Sequence, residues 1–216
     1  MECWYDFGYA SELRNRYRLI LFDARGHGAS DKPHNSAAYD LKCRVDDVVV
    51  VLDSLGIDKA YYLGYSMGGW VGFGVARYAT ERFHSIILGG AHPYSQRLDG
   101  LRQIVQHGIE HGTEEFIDAW EKTFGPTTER QKKCMRLWDF KALLDVSQDR
   151  PDLSIFLPMM TIPWLIFVGE LDDVYPFAKE GAQHVPNATF SVLPRLDHSC
   201  IRRLDLLMPL ITRFLD

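Results

Sequence analysis

Apolar positions fall into two alternating rhythms along the chain. Short unbroken runs recur as RLILF (18–22), KAYYLG (59–64), HSIILGG (84–90), IPWLIFVG (162–169) and ATFSVLP (188–194). Such runs, bounded by Gly, Pro and Asp, predict strands buried on both faces. Between them the spacing changes. After Asp40, a suitable N-cap, Leu41, Val45, Val48, Val49, Leu52 and Leu55 recur at helical intervals until Gly56. Residues 67–79 predict a second helix, and the C-terminal CIRRLDLLMPLITRFLD a third that Pro209 interrupts. Strands alternating with helices predict a mostly parallel sheet with helices on both faces.

That alternation stops between His92 and Thr161. LDGLRQIVQHGIEHG, TEEFIDAWEKTFG and TERQKKCMRLWDFKALLDV carry helical spacing, and no strand pattern intervenes. We read 92–161 as a helical insertion, a cap over the carboxyl edge of a core made of 1–91 and 162–216. Ligands bind at that edge of open α/β sheets. Phe116, Trp120, Phe124, Trp138 and Phe140 are expected mainly to pack within the insertion, with a few lining a pocket.

Composition narrows the function classes. The 216 residues are 46% hydrophobic and 25% charged, as in an ordinary globular domain. A net charge of -5 without a Lys/Arg cluster argues against nucleic acid. No apolar run approaches the ~18 residues of a membrane span, and the N-terminus lacks the apolar core of a signal peptide. Cys3, Cys43, Cys134 and Cys200 show neither CxxC nor zinc spacing, which predicts reduced thiols in a cytoplasmic protein.

The strongest chemical signal is Gly64-Tyr65-Ser66-Met67-Gly68, a G-x-S-x-G between a predicted strand and a predicted helix. In that setting a sharp turn exposes the serine Oγ, and small neighbours relieve the crowding. The Met67 N–H then lies at a helix N-terminus, where a developing oxyanion is favoured. A serine needs a base, and the base an orienting acid. The strand at 162–169 leads into Asp172 and Asp173, and the strand at 188–194 leads into His198, in the order such an elbow requires. A second motif, His107-x-x-Glu110-His111, has inverted zinc-protease spacing. Its internal Gly108, the following Gly112 and the want of a third ligand favour surface histidines.

Together these motifs resemble the α/β-hydrolase superfamily over nearly the whole chain. YRLILFDARGHGASDKP is similar to its D-x-R-G-x-G-x-S signature, GYSMGG to its elbow, GELDDVYP to its acid loop and LDHSC to its histidine loop. The resemblance implies Ser66 as nucleophile, His198 as base and Asp172, three residues after Gly169, as acid, with Met67 in the oxyanion hole. It assigns Asp23, Arg25 and His27 to holding a loop. Serine at the elbow argues against the dehalogenase and epoxide-hydrolase branches. The implied activity is cleavage of a small ester or lactone through an acyl-enzyme, with no cofactor and no metal. A ligand-binding relative with a receptor or regulatory role is the alternative.

One departure stands out. The family's His-Gly oxyanion loop and first strands have no counterpart in the sequence. We expect the chain to be an N-terminally truncated member; re-pairing of the sheet through a second copy, as a homodimer, and a weakened enzyme are the other accounts. Either the backbone beside 18–22 is then unpaired, or that segment pairs directly with 59–64.

Overall fold

The computed structural model describes residues 2–216. Two short helices, α1 (Glu2–Asp6) and α2 (Tyr9–Leu13), precede an irregular stretch across 18–22 and a 3₁₀ turn at Ser36–Tyr39. Helix α3 (Leu41–Ser54), strand β1 (Ala60–Tyr65), helix α4 (Met67–Tyr78) and strand β2 (Phe83–Gly89) follow in βαβ order. Four helices come next: α5 (Asp99–His111), α6 (Thr113–Phe124), α7 (Glu129–Met135) and α8 (Phe140–Val146). The chain closes with β3 (Trp164–Gly169), α9 (Tyr175–Gln183), β4 (Ala188–Leu193), a 3₁₀ turn at His198–Arg202 and α10 (Leu204–Leu215).

The four strands form one parallel sheet in the order β1-β2-β3-β4. Its centre explains the unbroken apolar runs. Ile86, Ile87 and Leu88 on β2 and residues 164–168 on β3 are all buried, because both faces are covered. Ile87, Leu165 and Phe167 pack with Tyr9 and Leu13 of α2 and Leu207 and Ile211 of α10. On the opposite face Phe73 of α4 meets the Trp164 ring at 5.5 Å, and Gly72 lies against Leu88.

Two expectations need correction. Residues 18–22 adopt no regular secondary structure and belong to no ladder, so the predicted first strand is absent. An apolar run becomes a strand only when a neighbour takes up its backbone hydrogen bonds. Leu19 contributes its side chain to the core, yet β1 pairs on one side with β2 and forms the sheet's edge. Of the two arrangements anticipated, unpaired backbone is the one found. Pro209, in turn, does not interrupt the last helix; α10 runs through it.

The chain divides into two compact units. One takes the N-terminal residues through Leu21 with Val45–Tyr94 and Asp152–Asp216, and so contains the whole sheet. The other joins Ser95–Pro151 to Phe22–Arg44, a segment that the pattern of elements had placed with the core. Within this second unit Ile104, Val105, Phe116, Ile117, Met135 and Leu143 form a small core of their own. Phe116 contacts Phe140 at 4.8 Å, and Trp120 meets Trp138 edge-on, whereas Phe124 is largely exposed. The stretch expected to be one helix from 128 splits at Asp139, whose carboxylate accepts from the Ala142 N–H and starts α8 afresh. Cys43, Cys134 and Cys200 form no disulfide; the side chain of Cys3 lies outside the described ones. Among the described residues no helix is long and apolar enough to cross a membrane.

Candidate active site

Ser66 occupies the one-residue corner between β1 and α4. Its backbone has φ 53° and ψ -111°, a conformation that L-residues with a Cβ seldom hold. Three contacts fix the corner. The Ser66 N–H donates to the Gly89 carbonyl at 2.9 Å, the Trp70 N–H to the Ser66 carbonyl at 2.9 Å, and the Tyr62 hydroxyl to the Gly68 carbonyl at 2.7 Å. The crowding anticipated from the glycines is real at Gly64, where a Cβ would lie 2.3 Å from the Gly68 carbonyl oxygen. It is not found at Gly68, whose Cβ position faces open space. The tight approach on the helical side falls on Gly69 instead, 2.7 Å from the Ala91 Cβ. Met67 is the first residue of α4, so its N–H lies at the positive end of that helix.

The candidate acid follows β3. Asp172 is buried, with its side chain 2% exposed, and its Oδ1 accepts from the Val174 N–H at 3.1 Å. Asp173, left open by residue order alone, is exposed. The candidate base follows β4. Leu193 ends the strand, and the histidine loop is pinned to the acid loop: the Glu170 N–H donates to the Leu193 carbonyl at 3.0 Å and the Leu171 N–H to the Leu196 carbonyl at 2.8 Å. Gly169 permits this approach, since a Cβ there would sit 2.2 Å from the Leu196 carbonyl oxygen. Asp197 then opens the 3₁₀ turn by accepting from the Ser199 N–H at 2.8 Å.

These loops bring three side chains into line. His198 Nδ1 lies 2.8 Å from Asp172 Oδ2, and His198 Nε2 lies 3.0 Å from Ser66 Oγ. A carboxylate can only accept, so Nδ1 carries the hydrogen and the Nε2 lone pair faces the serine hydroxyl. A buried carboxylate, an imidazole in that tautomer and a strained, half-buried serine make up the arrangement that removes a proton from an attacking hydroxyl.

Two residues at the site carried no role in the sequence reading. Gly90 has φ 58°, and a Cβ on it would meet the Tyr65 ring at 2.9 Å and His198 Cε1 at 3.0 Å. Tyr65 donates its hydroxyl to the His198 carbonyl at 2.5 Å. The Gly89-Gly90 pair closing a strand was the signal for the first; nothing in the pattern pointed to the second.

The remaining candidates lie in the second unit. Asp23 Oδ2 accepts from the Ala29 N–H at 3.0 Å, the Ser30 hydroxyl donates to the Asp23 carbonyl at 2.5 Å, and Arg25 Nη1 donates to the Ala38 carbonyl at 2.5 Å. His27 Nδ1 sits 3.2 Å from the Arg25 carbonyl, and burial lowers the imidazole's pKa. These bonds hold the 23–30 loop. His107 and His111 stack at 4.3 Å on α5, His107 Nε2 lies 3.7 Å from Glu115, and no group of three metal-ligating side chains occurs among the described residues.

Comparison with known proteins bears on the fold. Residues 2–125 match the family model described as the alpha/beta hydrolase fold. A Bacillus subtilis protein provisionally named a 2-succinyl-6-hydroxy-2,4-cyclohexadiene-1-carboxylate synthase is 25% identical, over 88% of this chain and 78% of its own length. The 3-oxoadipate enol-lactonase 1 of Acinetobacter baylyi is 26% identical, over 75% of this chain and 64% of its own. In structure, a Pseudomonas aeruginosa hydrolase superposes with a TM-score of 0.83 at 24% identity, covering 99% of this chain and 84% of the other.

Proposed function

The chain belongs to the α/β-hydrolase fold family, and from that premise we propose that it is a serine hydrolase acting on a small ester or lactone. The observation that carries this reading is the unbroken line from Asp172 Oδ2 through His198 to Ser66 Oγ, with steps of 2.8 and 3.0 Å. Ser66 Oγ attacks the carbonyl carbon while Nε2 takes its proton. Asp172 holds the imidazole in place and stabilises its charged form. The Met67 N–H stabilises the oxyanion of the tetrahedral intermediate. Collapse expels the alcohol, which takes the proton from Nε2. Water then attacks the acyl-Ser66, giving its proton to the same nitrogen, and releases the acid. The enol-lactonase relative supports an ester or lactone carbonyl over other electrophiles.

The test pairs a fluorophosphonate probe with hydrolysis of a short p-nitrophenyl ester. Wild-type protein should be labelled and turn over, and Ser66→Ala and His198→Ala should each lose both. Tight binding of a small molecule without labelling would favour a receptor role, and turnover surviving both substitutions would refute the mechanism.

A further inference from the structure

Tyr65 stands immediately before Ser66, at the end of β1, and reaches across to the loop that carries His198. Its hydroxyl donates to the His198 backbone carbonyl at 2.5 Å and lies 3.2 Å from the buried Cys200 Sγ. Its ring is wedged in place. Phe167 of β3 stacks on it at 5.9 Å, and the His198 imidazole leans against it at 5.4 Å. Gly90 clears the room for this wedge, because any side chain there would strike both the Tyr65 and His198 rings.

The histidine loop needs such a tether. Pro194, Arg195, Asp197, His198 and Ser199 are all exposed, and Arg195 holds a left-handed φ of 59°. Toward Asp172 the loop is tied by the bonds from Glu170 and Leu171 and by Arg195 N–H donating to Glu170 Oε2 at 2.8 Å. Those ties set the distance from acid to base. They do not reach the strand that bears the nucleophile, whereas the Tyr65 hydroxyl does.

We propose that Tyr65 is a positioning residue that sets the reach of His198 Nε2 to Ser66 Oγ, an inference that rests on the serine-hydrolase reading above. One side chain, adjacent in sequence to the nucleophile and bonded to the backbone of the base, fixes both ends of the proton-transfer distance. Burial raises the phenol's pKa far above neutrality, so it remains a donor throughout the working pH range. The effect falls on the transition state rather than on substrate capture, since proton transfer depends steeply on that geometry.

Tyr65→Phe keeps the ring and removes the tether. With p-nitrophenyl acetate, and with turnover normalised to titrated active sites, kcat should fall on the order of tenfold, as expected for losing one short hydrogen bond's worth of positioning. KM should stay within about twofold, because the lost bond lies between two residues of the protein and touches no substrate, so its effect falls on the proton-transfer step. The fluorophosphonate labelling rate should drop by the same factor as kcat. The His198 Nδ1 proton resonance should persist, because Asp172 still holds that nitrogen. Turnover and labelling equal to wild type would overturn the inference, as would a loss that merely follows a smaller folded fraction. A wild-type protein that the probe does not label would sink the hydrolase reading and this one together. A labelled wild type with an unaltered Tyr65→Phe sinks this one alone.

Discussion

Gly64 and the Gly68 carbonyl form a contact that no side chain can enter: a Cβ on Gly64 would stand 2.3 Å from that oxygen. The same carbonyl accepts the Tyr62 hydroxyl at 2.7 Å, so it cannot swing aside without losing a part-buried hydrogen bond. Gly64→Ala should therefore destabilise the fold by about 1–3 kcal/mol, the range for overpacking a dense site, and should displace the elbow. Gly68→Ala should be neutral or stabilising by up to about 1 kcal/mol, since Ala outranks Gly inside a helix and the space is open. Urea denaturation of the pair checks both. Equal losses would mean that the elbow's second glycine is confined in a way these contacts do not reveal.

Asp172 and Asp173 differ in burial and in partner, and the difference sets a second prediction. Asp172→Asn leaves Nδ1 facing an amide that can donate as well as accept, which favours the wrong imidazole tautomer. Turnover should fall on the order of 10⁴-fold with little change in stability. Asp173→Asn changes an exposed carboxylate and should leave turnover within about twofold, as surface substitutions usually do. Steady-state kinetics of the two variants under identical conditions would expose a reversed assignment at once.

The candidate site was legible in the sequence because the residues that come together there lie in short motifs at strand ends. Ser66, Asp172 and His198 each follow an apolar run, and the runs at 84–90 and 162–169 became the most buried strands of the sheet. Tyr65 was not legible. Its role depends on a backbone carbonyl more than a hundred residues away, and no periodicity encodes such a contact. Gly68 shows the converse: the motif predicts crowding there, and the position faces open space. The affiliation of 22–44 with the helical unit was hidden for the same reason as Tyr65: contacts between distant segments, such as Arg44 Nη2 donating to the Val146 carbonyl at 2.9 Å, leave no local pattern.

The helical unit has a core small enough for one residue to matter. Phe116 is wholly buried between Trp138 and Phe140, and Gly108 allows α5 and α6 to close over it. Phe116→Ala should cost about 3–5 kcal/mol, as for other buried aromatics. Phe124→Ser, at an exposed position, should cost a small fraction of that. Thermal unfolding followed by tryptophan emission samples this unit through Trp120 and Trp138, against a background from Trp4, Trp70 and Trp164 of the other unit, and similar shifts for the two variants would contradict the packing described.

Glu121 gives that unit an acid-sensitive joint. Its carboxylate accepts from the Thr127 N–H at 2.8 Å and the Thr127 hydroxyl at 2.7 Å, and Lys132 Nζ lies 3.1 Å away. Those hydrogen bonds, with the Lys132 charge, pull its pKa from 4.5 down to about 2. A depressed carboxylate favours the folded state fully above its unfolded pKa, and the contribution is lost as pH falls through the folded one. Stability should therefore decline between pH 4.5 and about 2, and Glu121→Gln should flatten that part of the profile by lowering stability above the window, neutrality included, while converging with wild type below it. Denaturation midpoints measured across the window would count against the joint if wild type and variant ran parallel.

The unpaired segment at 18–22 makes the last prediction, and the sharpest for the fold. Its residues are as apolar as those of a buried strand, yet no ladder includes them, while Leu165 and Ile166 are bonded within β3 between two neighbours. Amide exchange depends on hydrogen bonding and local opening rather than on side-chain character. The amides of Leu19, Ile20 and Leu21 should therefore exchange orders of magnitude faster than those of Leu165 and Ile166, close to the behaviour of a loop. β1, bonded on one side only, should fall between them. Protection at 18–22 equal to that of β3 would require a partner strand for this segment in solution. Adding a second copy by raising the protein concentration then identifies its source: protection that rises with concentration comes from another chain, and protection that does not comes from a rearranged ladder within this one.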